Sequence, residues 1–408
     1  MKLNNSAHAL EVLLGKVTCL PPETVQLSDA IGRVLYDDVI AGENLPPFDR
    51  VRMDGYALRS ADTSGPSRVP LKIVGSLPAG SVFPNKVNKG CCVRVSTGAP
   101  LPDNVDSVVM KENVEVAGHL AIVPGGVVTG ANIDPRGADM RAGEKMIAAG
   151  TVIGAGEIAI LAALGQFVVE VFRQHRVAIL ATGNELTEVD RVLDPGKIRD
   201  SNRYMLMAAC KEVGAVPVIS IHVNDDVRSA QGVLLRAGEG ADVVLSTGGV
   251  SVGDCDMMKR AFLEIGGEDL SRGGGNSIGK PMVAVWKEGV LYLGLPGRPS
   301  AALFDFELLV KPVLQKMMGI ANYILPCVWA SLQTASSRKP LSERHCYDWA
   351  VASYQGAWQV TPIMDRRIKA LKGYNALIEI PPGYRPPSKG DKVKTILTKG
   401  PLNYRLSG

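Results

Sequence analysis

The chain has 408 residues, 46% of them hydrophobic and 21% charged, so it is long enough for two to four globular domains. Its 45 basic and 41 acidic residues leave a formal charge of +4, an excess too small and too scattered to favour a nucleic-acid partner. No stretch approaches the roughly 20 uninterrupted apolar residues of a membrane helix, and "MKLNNSAHALEVLLGKV" lacks the pattern of a secretory signal. We therefore expect a cytoplasmic protein without membrane contacts.

Cysteine and histidine give no sign of a metal cluster. The seven cysteines form no CxxC pair, and the five histidines are scattered along the chain. We interpret the thiols as buried or incidental.

The first part of the chain predicts a helix, a connecting layer and a β-rich insertion. "SAHALEVLLGKV" has a helical pattern, which we expect to pack on an α/β domain. Residues 23–41 and 138–167 bracket a different kind of sequence and predict a connecting layer. Between them, residues 42–137 place many prolines and glycines between short β-type runs such as "CCVRVS" and "DSVVMKENVEV". This pattern predicts an inserted β-rich domain.

Two polar motifs lie in the insertion. "PPFDRVRMDGYALR" contains Asp49 and Asp54, and "RVSTGAPLP" places Thr97 and Gly98 at a strand end. Asp54 before Gly55 is also typical of the start of a turn. Composition alone does not identify either motif as part of a binding site.

Residues 168–318 predict a parallel α/β sheet, because short apolar runs alternate with helical patterns. The N-terminal residues 1–22 complete this domain. The predicted strands lie at Val177–Leu180, at Val216–Ile221, and within "ADVVLSTGGVSVGD" and "GVLYLGLPGRP". Between the first two, "RDSNRYMLMAACKEVG" predicts a helix with Asp200, Ser201 and Asn202 as capping candidates and Gly214 at its end.

Residues 319–408 return to a β pattern. The runs "WAVASY", "WQVTPIM", "ALIEI" and "KVKTIL" are split by turns such as "PPGYRPPSKGD". They predict a C-terminal β barrel or sandwich.

The candidate site lies at one edge of the predicted sheet. Ligands of open parallel sheets bind beyond the carboxyl ends of the strands, where helix N-termini point. All four strands end in unusual polar or glycine-rich sequence: Thr182 to Glu185, Asn224 to Asp226, Ser246 to Asp256, and Gly294 to Arg298. A single loop of this kind is explained by turn and cap requirements, whereas four at one edge indicate a binding site.

This edge combines groups that suit phosphate with groups that repel it. Glycine-rich turns and helix N-termini favour phosphate, whereas Glu185, Asp225, Asp254 and Asp256 do not unless a cation intervenes. Mg²⁺ commonly bridges carboxylates and phosphate oxygens, so we predict a magnesium-assisted phosphate or nucleotide site. Asp254 or Asp256 also suits the N-cap of the helix that starts near Met257.

Other site classes fit less well. "TGGVSVGDCD" lacks the GK[ST] ending of a P-loop and the GxGxxG of a dinucleotide fold, and its hydroxyl residues have no nearby histidine. Of the basic residues Lys259, Arg272, Lys280 and Arg298, the last two lie in Gly/Pro turns. We predict them as anion clamps, with a solvated side chain as the alternative.

Taken together, these segments resemble the MoeA family, which is related to the gephyrin E domain. The motifs follow in order through nearly the whole chain: "AIGRVLYDDVIA", "PPFDRVRMDGYALR", "VSTGAPLP", "GANIDPRGADMRAGE", "ATGNEL", "IRDSN", "NDD", "TGGVSVGDCD", "GKP" and "GLPGRP". Each motif is modest alone, but the ordered set is specific.

The resemblance implies an activity and an assembly. Such proteins insert molybdenum into adenylylated molybdopterin, with magnesium or a similar cation, and release AMP. It implies four domains and a homodimer whose cleft lies between the inserted domain of one subunit and the α/β domain of the other. Molybdenum or tungsten enzymes are then possible recipients of the product.

The resemblance also assigns site residues by motif. The catalytic set is Asp54, Asp139, Glu185, Asp225 and Asp256, and the metal ligands are Glu185, Asp225 and Asp256. The substrate-binding set is Thr97, Thr182, Gly183, Ser201, Asn202, Thr247, Gly248, Gly249, Ser251, Gly253, Lys280, Gly297 and Arg298. The hypothesis is that the three metal ligands position a cation and the attacking water or molybdate at the adenylyl phosphate.

The sequence departs from the family pattern where the oxyanion is expected. Arg298 replaces the usual Asn of "GLPGNP", Ile278 replaces a proline before "GKP", and "DRRIKALKGYN" stands where a GSG turn is expected. Arg298, Arg366 and Arg367 are candidate replacement ligands, because guanidinium suits molybdate and tungstate. A non-catalytic carrier of pterin or nucleotide, and a hydrolase of a nucleotide-like metabolite, are the alternatives.

Overall fold

The computed structural model describes residues 6–223, 226–248, 257–273, 276–277, 280–281, 283–336, 346–365, 367–381, 383, 385–399 and 405–406. The chain divides into two compact units. The larger comprises Met1–Asp37, Ala149–Ala155 and Val168–Gly408, and the smaller comprises Asp38–Ala148 and Gly156–Phe167. The four domain boundaries expected from the sequence are finer than this division and stay predictions. No helix in the described ranges is both long and apolar enough to cross a bilayer.

A six-stranded sheet forms the centre of the larger unit. Its strands are ordered Val216–Val223, Arg176–Thr182, Val243–Thr247, Val290–Leu295, Val283–Lys287 and Glu268–Asp269. The first four are parallel, as the sequence predicts. The last two run antiparallel to their neighbours, so the sheet is mixed and not wholly parallel.

Helices cover both faces of this sheet, which explains the nearly continuous apolar runs of its strands. Val177 and Ile179 belong to one core and Ala178 and Leu180 to the other. The helices of the larger unit are Ser6–Lys16, Ser201–Glu212, Val227–Glu239, Met257–Glu264, Pro299–Asp305 and Lys311–Met317. A π-helical turn, Phe306–Val310, joins the last two.

The N-terminal helix packs on the α/β sheet, as predicted. Ala9 and Leu13 are fully buried in the same core as Val177. The helix Ser201–Glu212 also begins and ends as predicted, with the Asp200 side chain accepting a hydrogen bond from the Arg203 N–H and Gly214 at a φ of 85°.

The C-terminal strands close into a barrel. Trp358–Pro362, Cys327–Leu332, Lys392–Leu397, Ala376–Ile380 and Cys346–Tyr354 pair in that order, and the last strand pairs with the first. The short strand Arg405–Leu406 adds to Cys346–Tyr354. The prediction of a C-terminal β barrel is confirmed, and Cys327–Leu332 is a strand that the sequence analysis did not identify.

The segments around the insertion pair with each other. Pro22–Gln26 is antiparallel to Val168–Phe172, and Val39–Ile40 is antiparallel to Lys145–Ile147. Within the smaller unit, six strands form one sheet in the order Ser107–Met110, Gly55–Leu58, Cys91–Val95, Val69–Leu77, Leu120–Val123 and Glu115–Ala117. The run "DSVVMKENVEV" is therefore two strands, which the short 3-10 turn Lys111–Asn113 separates. Arg50–Val51 pairs with Ile133–Asp134, and the helix Ala155–Ala163 follows.

Candidate functional site at the carboxyl edge of the central sheet

The four parallel strands end at the same level. Thr182 pairs with Val223, Ala181 with Thr247, and Thr247 with Leu295. The polar sequences that follow these strands therefore start from one edge of the sheet. This register confirms that the strand ends converge.

Asn202 connects three segments at this edge. Its Nδ2 donates hydrogen bonds of 2.8 Å to Thr247 Oγ1 and to the Gly297 carbonyl oxygen. Thr247 Oγ1 in turn donates to the Pro296 carbonyl oxygen at 3.0 Å. A carbonyl oxygen can only accept, so the orientation of the Asn202 amide is fixed by its partners. The helix N-terminus and two strand ends are thus held together.

The remaining amide oxygen of Asn202 is buried and unpaired within the described part of the chain. Asn202 is 8% exposed, and its Oδ1 has no hydrogen-bond partner among the described residues. Buried polar atoms are normally paired. Because both amide hydrogens are already used, Asn202 can act on a substrate only as an acceptor.

Two glycines allow these segments to approach closely. A Cβ on Gly248 would lie 2.4 Å from the Thr182 carbonyl oxygen, and its φ is 92°. A Cβ on Gly297 would lie 3.4 Å from Gly248 Cα. Thr182 is buried, and its Oγ1 lies 3.4 Å from the Thr247 carbonyl oxygen. A side chain at Gly248 would push the segments apart, whereas a Cβ at Gly297 would make an ordinary van der Waals contact.

Glu185 lies in a tight turn directly after the Arg176–Thr182 strand. The Leu186 N–H donates to the Gly183 carbonyl oxygen at 3.0 Å, which closes a β-turn with Glu185 at its third position. The Glu185 carboxylate folds back over Gly183, where its Oε2 lies 2.5 Å from the position of an added Cβ. The side chain is otherwise exposed at the sheet edge and available to a cation or substrate.

A buried arginine supports the same region. Arg203 Nε donates to Asp200 at 3.0 Å, and its Nη2 lies 2.6 Å from both carboxylate oxygens of Glu188. Its Nη1 donates to the Ser220 carbonyl oxygen. This hydrogen bonding holds the pKa of Glu188 below its usual range. Ser201, a predicted binding residue, begins the helix beside this network and is partly exposed.

Arg298 follows the fourth parallel strand. Its carbonyl oxygen accepts hydrogen bonds from the Ala301 and Ala302 N–H groups as the helix Pro299–Asp305 begins. Its side chain is exposed and makes no capping bond. The guanidinium therefore remains available to an anion. The Lys280 backbone belongs to a two-residue strand with Pro281.

Asp54 and Thr97 are direct partners in the smaller unit. One carboxylate oxygen of Asp54 accepts from the Thr97 N–H at 2.9 Å and from its hydroxyl at 2.8 Å, and Lys111 Nζ lies 3.3 Å from the other. These donors, led by the Thr97 N–H, lower the pKa of Asp54 to about 2. Asp54 is then ionised throughout the neutral range.

Asp139 lies in a different contact of the smaller unit. Its carboxylate is 3.2 Å from Arg50 Nη1, and Arg50 also binds Asp134 at 2.9 Å. Asp49 accepts from the Arg136 N–H at 2.8 Å. The predicted site residues of the smaller unit thus lie in two separate contacts, Asp54 with Thr97 and Asp139 with Arg50. Gly55 is required for packing, because a Cβ there would lie 2.1 Å from the Val109 carbonyl oxygen.

Part of the predicted site falls outside the described residues. This applies to Asp225, Gly249, Ser251, Gly253, Asp254, Asp256, Ile278 and Arg366. Within the described ranges no group of three or more His, Cys, Asp or Glu side chains could hold a metal ion. Of the three predicted metal ligands, Glu185 lies in the described ranges, whereas Asp225 and Asp256 do not. The metal site therefore stays a prediction.

Sequence reasoning missed several supporting residues. Arg203, Glu188 and Lys111 are ordinary charged residues in sequence. Only the tertiary structure pairs Arg203 with Glu188 and Lys111 with Asp54. The Arg203–Asp200 pair had a local signal, because the two residues are three positions apart at a helix N-terminus.

Two segments of the chain match known family models. Residues 5–165 match the MoeA N-terminal region (domain I and II), and residues 178–316 match a probable molybdopterin binding domain. Molybdopterin molybdenumtransferase from Staphylococcus aureus (strain Mu50) is 32% identical over 397 residues, which cover 96% of this chain and 95% of that protein. The chain belongs to the MoeA family. The predicted resemblance is confirmed.

Further relatives of the MoeA family agree along the whole chain. Molybdopterin molybdenumtransferase from Staphylococcus epidermidis (strain RP62A) is 31% identical over 380 residues, covering 92% of this chain and 91% of that protein. A solved structure of the molybdopterin biosynthesis MoeA protein from Pyrococcus horikoshii OT3 has a TM-score of 0.81 at 29% identity and covers 97% of this chain and 100% of that one. The agreement in fold therefore extends beyond the α/β sheet.

Proposed function

We propose that this protein is a molybdopterin molybdotransferase of molybdenum cofactor biosynthesis. Its substrates are adenylylated molybdopterin and molybdate, and its products are the molybdenum cofactor and AMP. The observation that carries the proposal is the Asn202–Thr247–Gly297 cluster at the common edge of four strands. This edge belongs to a chain that is 32% identical to a molybdopterin molybdenumtransferase over 96% of its length.

The geometry supports binding of the adenylylated substrate at this edge. Gly248 and Gly297 leave space close to the backbone, and Asn202 Oδ1 offers a buried acceptor. The exposed Arg298 side chain supplies a positive charge that suits phosphate or molybdate. Arg367 stays a proposed oxyanion ligand, and molybdate and tungstate both suit these groups.

The oxygen donors at the edge fit a magnesium ion. Glu185 presents an exposed carboxylate and Asn202 an unpaired amide oxygen, and Mg²⁺ prefers oxygen ligands. In the proposal Glu185, Asp225 and Asp256 hold the ion. The ion supplies charge neutralisation at the adenylyl phosphate when it is bound.

The smaller unit contains two predicted site carboxylates, Asp54 and Asp139, that are held by basic or hydrogen-bonding partners. Asp54 stays ionised and keeps Thr97 and Lys111 in place, and Asp139 is paired with Arg50. We assign these groups to orienting substrate and molybdate, since Asp54 cannot take up a proton near neutral pH. The homodimer and the cytoplasmic location that the resemblance implies belong to the same proposal.

The alternative of a non-catalytic carrier is disfavoured. The full-length relatives carry the name of a transferase and match more than nine-tenths of the chain. A carrier would bind the same ligand without releasing AMP.

Asp256→Asn tests the metal-ligand hypothesis. With adenylylated molybdopterin, Mg²⁺ and molybdate, we expect the rate of AMP release to fall at least about 100-fold, because a charge that acts at the phosphate is lost. Asp37→Asn is the control, since Asp37 is an exposed aspartate of the same unit. Circular dichroism checks that both variants fold. Unchanged turnover in Asp256→Asn contradicts the hypothesis.

A further inference from the structure

A histidine on the edge strand contacts the turn that carries Glu185. His222 lies near the end of Val216–Val223, the outermost strand of the central sheet. Its Nε2 is 2.9 Å from the Gly183 carbonyl oxygen. A carbonyl oxygen only accepts, so Nε2 carries the hydrogen and donates it. This contact joins two neighbouring strand ends through a side chain.

The accepting oxygen is the one that closes the turn. The Gly183 carbonyl oxygen accepts from the Leu186 N–H at 3.0 Å and from His222 at 2.9 Å. The two donors use both lone pairs of this oxygen. Loss of His222 would leave the Gly183 carbonyl oxygen with one hydrogen bond, from the Leu186 N–H.

The other carbonyl groups of the turn are also held. Lys197 Nζ donates to the Asn184 carbonyl oxygen at 2.5 Å, and the Ile198 N–H donates to the Glu185 carbonyl oxygen at 2.8 Å. Of these donors, Lys197 is an exposed surface residue, whereas His222 is partly buried in the sheet. His222 thus adds a partly buried side-chain hydrogen bond at Gly183 to the backbone hydrogen bond that holds Glu185.

The turn has a backbone conformation that favours glycine. Gly183 has a φ of 146°, and an added Cβ would collide with the Glu185 carboxylate. The side chain of Glu185 thus lies directly over the residue that His222 holds. Movement of Gly183 would move the carboxylate.

We propose that His222 is a positioning residue for Glu185. It fixes the Gly183–Leu186 turn from the neighbouring strand and so sets the place of the carboxylate at the sheet edge. His222 itself touches neither cation nor substrate in this account. The expected effect on kcat rests on the proposed function, whereas the contact between His222 and Gly183 does not.

The test compares His222→Ala with His222→Gln, because the Gln amide can still donate to the Gly183 carbonyl oxygen. The first readout is amide hydrogen exchange of peptides that cover the turn. In His222→Ala we expect exchange at Leu186 to accelerate roughly fivefold or more, from the loss of one partly buried hydrogen bond. His222→Gln should exchange like the wild type. Unchanged exchange in His222→Ala overturns the proposal, whatever the activity.

The second readout is AMP release with molybdate and Mg²⁺. We expect kcat of His222→Ala to fall about 10- to 100-fold with KM for adenylylated molybdopterin unchanged, because a misplaced group costs rate and other residues hold the adenylate. His222→Gln should restore kcat to within about threefold. An equal loss in both variants, or accelerated exchange without a loss of kcat, overturns the positioning role. A wild-type protein that releases no AMP refutes the proposed function, and the exchange readout still decides whether His222 holds the turn.

Discussion

His175 is fully buried, and its Nε2 lies 2.6 Å from the Leu314 carbonyl oxygen. Its Nδ1 has no partner among the described residues. Burial disfavours the charged ring and lowers the pKa of His175 to about 4, from an ordinary value of 6.5. Between these two pKa values, His175 is neutral in the native protein and protonated in the unfolded chain.

This difference predicts the pH dependence of stability. Between pH 6.5 and about 4 the unfolded state binds more protons at this site, so the free energy of unfolding falls as the pH decreases. A shift of this size contributes a loss of about 3 kcal/mol over that range. His175→Gln, which stays neutral, should remove this contribution in urea unfolding at a series of pH values. His8→Gln, at a partly exposed histidine, is the control. An unaltered slope in His175→Gln contradicts the assignment.

At the residue scale the sequence could predict candidates but not their contacts. Asp54 and Thr97 were identified by motif, yet their mutual hydrogen bonds join positions 43 residues apart. Asn202 was predicted to bind substrate, and its two donated bonds span 45 and 95 residues. The choice between ligand and positioning residue depends on which hydrogens remain free, and only the tertiary structure determines that.

At the scale of elements, an ion pair joins Glu307 in the π-helical turn Phe306–Val310 to Lys311, the first residue of the next helix. Lys311 Nζ lies 3.0 Å from Glu307 and 2.5 Å from the Thr398 carbonyl oxygen. The Tyr374 hydroxyl donates to Glu307 at 3.2 Å. Burial raises the pKa of Glu307, and Lys311 opposes that shift. These contacts connect the helical segment with the barrel.

Removal of one partner should cost more than removal of both charges. Lys311→Met leaves a buried carboxylate without its cation, so we expect a loss of about 3 to 5 kcal/mol in the free energy of unfolding. The double variant Glu307→Gln with Lys311→Met should recover most of this loss, as measured by urea unfolding. Equal losses in the single and double variants contradict this account of the pair.

Two strands that the sequence analysis did not identify lack a clear signal in the sequence. The four parallel strands were predictable because buried apolar runs precede their polar ends. The antiparallel strand Val283–Lys287 is joined to the next strand through Glu288 and Gly289, with φ values of 49° and 85°. This is a two-residue hairpin turn, whose signal is weak when the first central residue is Glu. The barrel strand Cys327–Leu332 follows a segment without a clear pattern, and its register depends on strands far along the chain.

At the scale of the whole molecule, the order of motifs predicted the family and the overall fold. The ordered motifs run through nearly the whole chain, and the relatives match this chain over more than nine-tenths of their own length. The departures at Arg298 and in "DRRIKALKGYN" fall where the resemblance predicts oxyanion binding. The central claim is therefore that the protein transfers molybdenum and does not only bind the pterin.

The most direct test incubates the protein with adenylylated molybdopterin and Mg²⁺, with and without molybdate or tungstate. AMP and protein-bound or product-bound metal are measured together. The account predicts AMP release that depends on an oxyanion, with about one metal atom incorporated per AMP, because charge stabilisation at the phosphate and metal insertion are one reaction. AMP release without any oxyanion would indicate a hydrolase, and tight binding without AMP release would indicate a carrier. Either result contradicts the account.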